Sequence, residues 1–271
     1  MKISFIGAGN MGGAMINAII SCKAAKPEDM YIYDKDTSKC EAFKKSLGVN
    51  VSADGVSAVM SSDVVFIAVK PVIVPVVLKE LAEALKGKTV VSIAAGVTVK
   101  TFLDIIGEDA KLVRSIPNLP AFVGEGISGL YFYDANKVWC DKCKGEIKAL
   151  FESFGKVVEV SSEKMIDEMI AVTSSSPAYF CMMIDAMADA GVKAGFTRKD
   201  ALFMAEQAML GTAKYLIEKE KHPGVLKDEV CSPAGTTIEA VAALEREGFR
   251  RSIMAAMDDC RKKAMKKEGY V

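Results

Sequence analysis

The chain has 271 residues, of which 51% are hydrophobic and 26% charged, so it is long and apolar enough for one large globular domain or two ordinary ones. Its 35 basic residues equal its 35 acidic ones, a balance that argues against a nucleic-acid-binding or polybasic membrane-surface protein and favours a small-molecule partner. The longest apolar runs, such as residues 64–69, are far shorter than the roughly 18 residues of a membrane-spanning helix. The N-terminal residues also lack a signal-peptide pattern. We therefore expect a cytoplasmic protein that binds neither nucleic acid nor a membrane.

Seven cysteines occur in the chain, and an odd number without a secretory signal favours reduced thiols over a disulfide framework. Only Cys140 and Cys143 are spaced as a pair, in the sequence CDKC. A zinc site would need two further ligands, and the chain offers one histidine, His222, and no second cysteine pair, so we expect no metal site. For the pair itself we favour the start of a solvent-exposed helix over a redox role.

The first 160 residues alternate short β-branched runs with helical segments. Five runs predict strands of a parallel sheet that is buried on both faces, at residues 3–7, 30–34, 64–69, 89–93 and 112–116. Two further strands, at 126–133 and 155–160, are expected at the edge of the sheet around a helix at 137–153. This order predicts the α/β class, with a Rossmann-type doubly wound parallel sheet over residues 1–160.

Strand signals stop after about residue 160, and residues 161–271 are predicted to form an all-α domain. Its helices are expected at residues 163–172, 177–194, 198–220, 236–247 and 249–267. Residues 178–192 are apolar on nearly every face, and ten of the fifteen methionines lie beyond residue 160. We therefore expect an obligate interface between identical subunits, in a homodimer or a higher homo-oligomer. The alternative is a tightly wrapped monomeric bundle.

The sequence GAGNMG, residues 7–12, has the spacing G-x-G-x-x-G directly after the first predicted strand and at the start of a helix. The first glycine permits a tight turn, the second lets the backbone approach a pyrophosphate, and the third lets the helix pack closely on the strand. The helix N-terminus offers N–H groups to the anion. We therefore expect a dinucleotide, NADPH or NADH, bound by the strand end and this loop: Ile6, Gly7, Ala8, Gly9, Asn10, Met11 and Gly12.

Asp34 ends the second predicted strand, 22 residues after Gly12. A carboxylate at this position accepts hydrogen bonds from the adenosine ribose and repels a 2′-phosphate, whereas Lys35 beside it would attract that phosphate. Asp34 could instead cap the helix that follows it. The choice between NADH and NADPH therefore stays open.

Further candidate cofactor residues follow two later strands, at the carboxyl edge where an open α/β sheet binds its ligands. They are Ala68, Val69, Lys70 and Pro71 after one strand, Ala94, Ala95 and Gly96 after the next, and Asn118 after the last. Pro71 ends its strand, and the small side chains at 95 and 96 leave room for a nicotinamide ring. Lys70 has a second interpretation as a solvated residue before a turn, and Asn118 either approaches the reacting ring or only turns the chain.

Residues 230–241, VCSPAGTTIEAV, combine a small-residue loop with the start of a helix. Thr236 and Glu239 fit a T-x-x-E capping box, which predicts that the helix begins near residue 237. The N–H groups of such a helix end bind anions such as carboxylates, and the hydroxyls of Ser232, Thr236 and Thr237 add hydrogen-bonding groups. Ordinary capping is the alternative. Combined with a dinucleotide domain, the pattern favours reduction of a small carboxylated substrate.

The sequences GAGNMG, AVKP, SIAAGV, IPNLP, SSSPAY, HPGVLKD and CSPAGTTIEAV, in this order and over essentially the whole chain, resemble the pyrroline-5-carboxylate reductase family. The resemblance implies reduction of a cyclic imino acid, 1-pyrroline-5-carboxylate, to L-proline, the last step of proline biosynthesis. It implies an oligomer whose helical C-terminal domains pair so that the substrate loop completes the active site. It also implies that Thr237 supplies the substrate-contacting hydroxyl, with Ser232 and the backbone of Gly235 and Thr236 close to it.

Three residues depart from that family's pattern: Ile116 replaces a Met, Ser174 replaces a Gly, and Ala234 replaces the first Gly of an S-P-G-G sequence. The first two changes look tolerable. If position 234 requires a positive φ angle, an alanine there costs roughly 1 kcal/mol. We interpret the change as conservative because Gly235 remains.

Hydride addition to a C=N carbon is favoured by protonation of the imine and needs no strong catalytic acid, which fits a chain whose single histidine lies in a His-Pro-Gly turn. We expect the hydroxyl of Thr237 to bind the ring nitrogen and the N–H groups of residues 235–237 to bind the carboxylate. Two alternatives remain. One is a 3-hydroxyacid dehydrogenase of the β-hydroxyacid family, whose catalytic Lys has no counterpart here before Lys193; the other is a non-catalytic protein that senses dinucleotides.

Overall fold

A single eight-stranded sheet organises the computed structural model, which describes residues 1–134 and 139–265. The strands are β1 (Ile3–Ile6), β2 (Met30–Tyr33), β3 (Asn50–Val51), β4 (Val64–Ile67), β5 (Thr89–Ser92), β6 (Lys111–Ile116), β7 (Gly126–Phe132) and β8 (Gly155–Glu159). They lie in the order β3-β2-β1-β4-β5-β6-β7-β8, and every neighbouring pair is parallel except β6 and β7. The predicted α/β doubly wound sheet and its edge strands are confirmed; the two-residue β3 is too short to leave a sequence signal.

Twelve α-helices accompany the sheet in the described part of the chain. They are α1 (Asn10–Ser21), α2 (Thr37–Leu47), α3 (Gly55–Met60), α4 (Val74–Leu85), α5 (Val99–Ile106), α6 (Asp141–Glu152), α7 (Glu163–Met169), α8 (Ser176–Lys193), α9 (Arg198–Glu218), α10 (Pro223–Val230), α11 (Thr236–Arg246) and α12 (Phe249–Met265). The all-α second half is therefore confirmed. Parts of two predicted helices, at 137–138 and 266–267, fall outside the described residues.

Two helical details differ from the sequence-based expectation. Helix α10 is not among the predicted helices. A proline such as Pro223 usually marks a break, but here it occupies the first turn of the helix, where its missing N–H has no intrahelical acceptor to lose. The helix predicted at 163–172 is α7 followed by a π-helical turn, Ile170–Ser174. The first difference adds a helix and the second changes the end of one, and neither alters the fold class.

The parallel strands are buried on both faces, which explains why their sequences are continuously apolar. Phe5 and Phe66 belong to the core on one face, where their rings stack at 4.5 Å with an interplanar angle of 4°. Their neighbours Ile6 and Ile67 belong to the core on the other face. Successive side chains of β1 and β4 thus point alternately into the two cores. This packing holds the ends of the strands in fixed positions at the carboxyl edge of the sheet.

The chain divides into two compact units, Met1–Ser174 together with the chain from Cys260 onward, and Ser175–Asp259. The domain boundary predicted after residue 160 stays a prediction. Within Ser175–Asp259 only three residues are buried, all of them alanines, while Met182, Phe203 and Ile217 are each at least 65% exposed. This unit therefore exposes its large apolar side chains. Among the residues that the structure describes, no helix has the length and apolar character needed to cross a lipid bilayer.

Candidate active site

A cavity of about 420 Å³ opens at the carboxyl edge of the sheet, within the first unit. The ends of three neighbouring strands, β1, β2 and β4, contribute to its wall. Eight of the predicted cofactor residues line it: Ile6, Gly7, Gly9, Asp34, Lys35, Ala68, Val69 and Lys70. The predicted ligand edge of the sheet therefore carries a cavity large enough for part of a dinucleotide.

Two glycines of the loop are required by close backbone contacts, and the third faces the cavity. Gly7 has φ +105°, and a Cβ atom there would lie 2.6 Å from the carbonyl oxygen of Ala68. A Cβ at Gly12 would lie 2.6 Å from the carbonyl oxygen of Gly7, so that helix α1 could not pack as closely. A Cβ at Gly9, the N-cap of α1, would meet no atom within 4 Å, because this residue faces the cavity. The loop thus fits a pyrophosphate at the N-terminus of α1.

Asp34 holds the glycine loop and also lines the cavity. Its Oδ2 accepts a hydrogen bond from the N–H of Ala8 at 2.7 Å, and its Oδ1 accepts one from the N–H of Asp36 at 2.9 Å. The alternative that Asp34 caps the following helix is wrong, since the N-cap of α2 is Asp36, which accepts from the N–H of Ser38. A hydrogen bond from the Ser38 hydroxyl is the main reason that the pKa of Asp36 is lowered.

Several cavity residues were missed by sequence reasoning: Tyr33, Lys39, Asp54, Gly55, Val56, Ile73, Val77, Glu80 and Leu81. Asp54 and Gly55 follow β3, so they occupy the same carboxyl edge; the sequence ADG marks a turn there, but β3 itself gave no signal. Asp54 caps α3, and the N–H of Ser57 is the main cause of its lowered pKa. The cavity wall thus carries three carboxylates and three amines, the latter from Lys35, Lys39 and Lys70.

The remaining predicted cofactor residues do not line this cavity: Ala8, Asn10, Met11, Gly12, Pro71, Ala94, Ala95, Gly96 and Asn118. Their contact with a cofactor stays a prediction. Asn118 is buried, its Nδ2 donates to the carbonyl of Thr173 at 3.0 Å, and its Oδ1 accepts from the N–H of Ile127 at 2.8 Å. The Asn118 amide thus fixes the loop after β6. This supports the interpretation that Asn118 turns the chain over the one that it approaches the nicotinamide ring.

The loop before α11 lies in the second unit, and its register differs from the prediction. The helix starts at Thr236 with Gly235 as N-cap, and no side chain caps it, so the predicted capping box of Thr236 and Glu239 is wrong. The N–H of Gly235 donates to the carbonyl of Ser232 at 3.0 Å, and a Cβ at this position would overlap the Ser232 hydroxyl. The Gly235 N–H is therefore used in a hydrogen bond within the turn. The helix begins at Thr236, one residue earlier than expected.

The position at which α11 starts determines which backbone groups can bind an anion. The N–H groups of the first helical turn have no intrahelical acceptor, so Thr236, Thr237 and Ile238 present theirs, whereas Gly235 does not. Thr236 and Ser232 are exposed, and Thr237 is half-buried. The loop accordingly offers backbone N–H groups with hydroxyls beside them.

Comparison with known proteins matches two parts of the chain to family models. Residues 163–267 match the family model for pyrroline-5-carboxylate reductase dimerisation, and residues 2–96 match a model described as NADP oxidoreductase, coenzyme F420-dependent. The pyrroline-5-carboxylate reductase of Escherichia coli (strain K12) is 41% identical over 266 residues, which cover 98% of this chain and 97% of that protein. The chain belongs to the pyrroline-5-carboxylate reductase family.

Solved structures agree with this assignment. A pyrroline-5-carboxylate reductase from Coxiella burnetii superposes on this reductase with a TM-score of 0.93 at 30% identity and covers 98% of both chains. A Plasmodium falciparum pyrroline carboxylate reductase, solved with NADP bound, has a TM-score of 0.86 at 28% identity over 98% of both chains. The resemblance stated from the sequence motifs is confirmed.

The residues at which this reductase departs from the motifs of its family differ in consequence. Ile116 is a buried residue of β6 and packs in a small apolar cluster with Val160 and Ile166. The hydroxyl of Ser174 is buried without a hydrogen-bond partner among the described residues, a situation that typically costs about 1–3 kcal/mol. Ala234 has φ +56°, so position 234 does require the left-handed region and the change is not conservative.

We expect Ala234→Gly to raise the free energy of unfolding by about 0.5–1 kcal/mol. Relief of the left-handed alanine, roughly 1–2 kcal/mol, is partly offset by the greater flexibility of glycine in the unfolded chain, roughly 0.5–1 kcal/mol. The matched control is Ala242→Gly, an exposed position inside α11, which should lower stability by about 1 kcal/mol. Urea titrations at one protein concentration compare the two; equal losses in both variants would show that position 234 is unstrained.

Proposed function

We propose that this reductase transfers a hydride from NADPH or NADH to the C=N carbon of 1-pyrroline-5-carboxylate and releases L-proline, the last step of proline biosynthesis. The observation that carries the proposal is the similarity to pyrroline-5-carboxylate reductases, which extends over both units at 41% identity. The glycine-lined cavity and the N-terminus of α11 agree with the two ligands that this reaction needs, a dinucleotide and a small carboxylate.

The residues of the first unit would hold and orient the cofactor. Gly9 and the start of α1 present backbone N–H groups to its pyrophosphate, and Asp34 keeps the loop in place through the N–H of Ala8. Asp34, Lys35 and Lys39 would lie around the adenosine ribose, at the end of β2. The bound dinucleotide supplies the hydride.

The residues of the loop before α11 would bind the substrate. The N–H groups of Thr236 and Thr237 donate to the carboxylate, and the hydroxyl of Thr237 hydrogen-bonds the ring nitrogen; Ser232 adds a second hydroxyl beside them. The protonated imine is the electrophile, so the chain need not supply a strong acid. His222 supports this view, because its Nδ1 accepts from the N–H of Gly224 and caps α10, which is a structural role.

A panel of substrates separates this proposal from its alternatives. The purified chain is mixed with NADPH or NADH and with 1-pyrroline-5-carboxylate or its six-membered ring homologue, and cofactor absorbance is followed. A second assay runs in the oxidative direction, with oxidised cofactor and short 3-hydroxyacids as substrates. Turnover of cyclic imines alone supports the proposal. Turnover of 3-hydroxyacids would favour the dehydrogenase alternative, and cofactor binding without any turnover would favour a dinucleotide sensor.

Cofactor choice is expected to depend on the charges after β2. Asp34→Ala should shift the ratio of catalytic efficiencies toward NADPH by about tenfold, or ~1.4 kcal/mol, since charges about 4 Å apart interact by about 1 kcal/mol in water and more at a protein surface. The substitution also removes the hydrogen bond from the N–H of Ala8. Its loss should affect the binding of both cofactors equally and therefore cancel in the ratio of catalytic efficiencies. Lys35→Met is the matched control and should shift the ratio toward NADH. An unchanged ratio in Asp34→Ala would mean that this carboxylate only holds the loop.

We further propose that the chain assembles as a homodimer or a higher homo-oligomer through its second unit. The support is that Ser175–Asp259 buries only alanines while large apolar side chains such as Phe180 and Met182 are at least half exposed. The family model that matches residues 163–267 is also one of dimerisation. Light scattering at micromolar concentration tests this: we expect at least twice the mass of the chain, and a fully active monomer would contradict it. A cytoplasmic location and a domain boundary after residue 160 are likewise proposals.

A further inference from the structure

We propose that Cys140 and Cys143 form a reversible dithiol–disulfide site that exchanges with small disulfides of the glutathione type. The observation that carries this inference is the position of the two thiols, whose Sγ atoms lie 2.7 Å apart. That separation approaches the about 2.05 Å of a disulfide bond. Neither residue is among those that line the dinucleotide cavity, so the site adds to the reductase function and does not depend on it.

The start of helix α6 brings the two sulfurs together. Cys140 is the N-cap residue of this helix, with extended backbone angles of φ −103° and ψ 160°. Its Sγ accepts a hydrogen bond from the N–H of Cys143 at 3.3 Å, as the side chain of an N-cap residue does with the third residue of a helix. The predicted start of a solvent-exposed helix is therefore confirmed, and the same geometry positions the side chain of Cys143 against that of Cys140.

The two thiols have different reactivities. The pKa of Cys140 is lowered, mainly by the hydrogen bond from the Cys143 thiol and then by the N–H of Cys143. The pKa of Cys143 is raised, because that same hydrogen bond holds its proton. Cys140 is exposed and Cys143 is partly exposed, so a dissolved disulfide can reach the first of them. Cys140 is thus the attacking thiolate and Cys143 the resolving thiol.

Exchange proceeds in two displacements. The Cys140 thiolate attacks one sulfur of glutathione disulfide; the glutathione S–S bond breaks, a mixed disulfide forms, and one glutathione thiolate leaves and takes a proton from water. Cys143 then loses its proton to water, and its sulfur attacks the sulfur of Cys140 in the mixed disulfide, which releases the second glutathione thiolate. Two protein thiols are oxidised to one disulfide, and one glutathione disulfide is reduced to two thiols. Excess reduced glutathione reverses both steps.

Trp139 provides an optical signal for the reaction. It is the single tryptophan of the chain and the residue next to Cys140. Its indole N–H donates to the carbonyl of Tyr133 at 2.6 Å, and its ring packs edge-on against Phe132 with centroids 4.9 Å apart. Because the indole is held in place one residue before Cys140, we expect oxidation of Cys140 from thiol to disulfide to change the environment of this one fluorophore.

The test equilibrates the reduced, full-length protein in glutathione buffers with an increasing fraction of disulfide. Samples are quenched with acid, free thiols are alkylated, and the products are identified by intact and peptide mass. We expect two of the seven thiols to disappear together as a disulfide that links Cys140 to Cys143, with a parallel change in Trp139 fluorescence. Both signals should return when reduced glutathione is added in excess.

Two single substitutions make the test specific. Cys143→Ser should accumulate a mixed disulfide with glutathione on Cys140, because the thiol that would release the second glutathione is gone. Cys22→Ser is the matched control, since Cys22 is exposed and its Sγ contacts a backbone carbonyl; this variant should form the Cys140–Cys143 disulfide at the same buffer ratio as the unmodified chain. The proposal is overturned if no Cys140–Cys143 linkage forms at any buffer ratio, or if Cys143→Ser accumulates no mixed disulfide on Cys140.

Discussion

Thr237→Val is expected to lower the catalytic efficiency for 1-pyrroline-5-carboxylate by roughly ten- to a hundredfold. The substitution removes the hydroxyl proposed to bind the ring nitrogen while keeping the shape of the side chain. A hydrogen bond to a charged group contributes roughly 1.5–3 kcal/mol, which corresponds to this range in rate. Cofactor affinity and the free energy of unfolding should change little, since Thr237 caps no helix and its backbone N–H is retained. Initial rates at varied substrate, together with cofactor titrations, measure the effect.

Thr236→Val is the matched control for this result. Thr236 is the first residue of α11, is exposed, and makes no capping hydrogen bond, so its replacement should leave stability within about 0.5 kcal/mol and reduce catalysis less than Thr237→Val does. A capping role, as the T-x-x-E pattern predicts, would instead make this substitution cost about 1 kcal/mol. If Thr236→Val were the more damaging of the two, the substrate hydroxyl would be that of Thr236. If neither variant lost activity, the loop would be structural.

Arg114→Met is expected to lower the free energy of unfolding by about 3–5 kcal/mol, the usual effect of removing one partner from a buried ion pair. Only 2% of the Arg114 side chain is exposed, and its guanidinium donates to Glu163 at 2.6 Å and to Asp167 at 3.0 Å. The same Oε1 of Glu163 also accepts the N–H of Val99, so one arginine links β6, α7 and the start of α5. The substitution leaves two partly buried carboxylates, those of Glu163 and Asp167, without their shared cation.

An exposed ion pair provides the control for Arg114→Met. Lys100 and Asp104 lie 2.8 Å apart on α5, with more than half of each side chain exposed. Lys100→Met should therefore change stability by no more than about 0.5 kcal/mol. Urea titration at a fixed protein concentration compares the two variants. Equal, small losses would mean that the buried pair contributes no more than an exposed one, contrary to the structure.

The sheet and the glycine loop could be predicted because their causes are local. A parallel strand covered on both faces must be apolar along its whole length, as in β1 and β4. The structure shows the steric demands at Gly7 and Gly12, where a Cβ atom would clash with backbone, whereas a Cβ at Gly9 would meet no atom of the protein and would face the cavity. The identity of the family followed from such motifs read in order along the chain.

Other features depend on contacts that the sequence does not reveal. Arg114 lies in an apolar strand, which indicates a buried charge, but its partners Glu163 and Asp167 follow about fifty residues later and meet it only in the folded chain. The start of α11 was misplaced by one residue because the pattern T-x-x-E ignores the turn in which Gly235 donates to Ser232. Asp54 was missed because β3, the strand before it, has only two residues.

The product that the purified chain forms from 1-pyrroline-5-carboxylate tests the proposed reaction directly. Reaction mixtures with NADPH and with NADH are stopped at intervals, and L-proline is quantified by chiral chromatography beside the loss of cofactor absorbance. We expect one L-proline for each reduced cofactor that is oxidised. Cofactor oxidation without proline, or no oxidation with either cofactor, would contradict it.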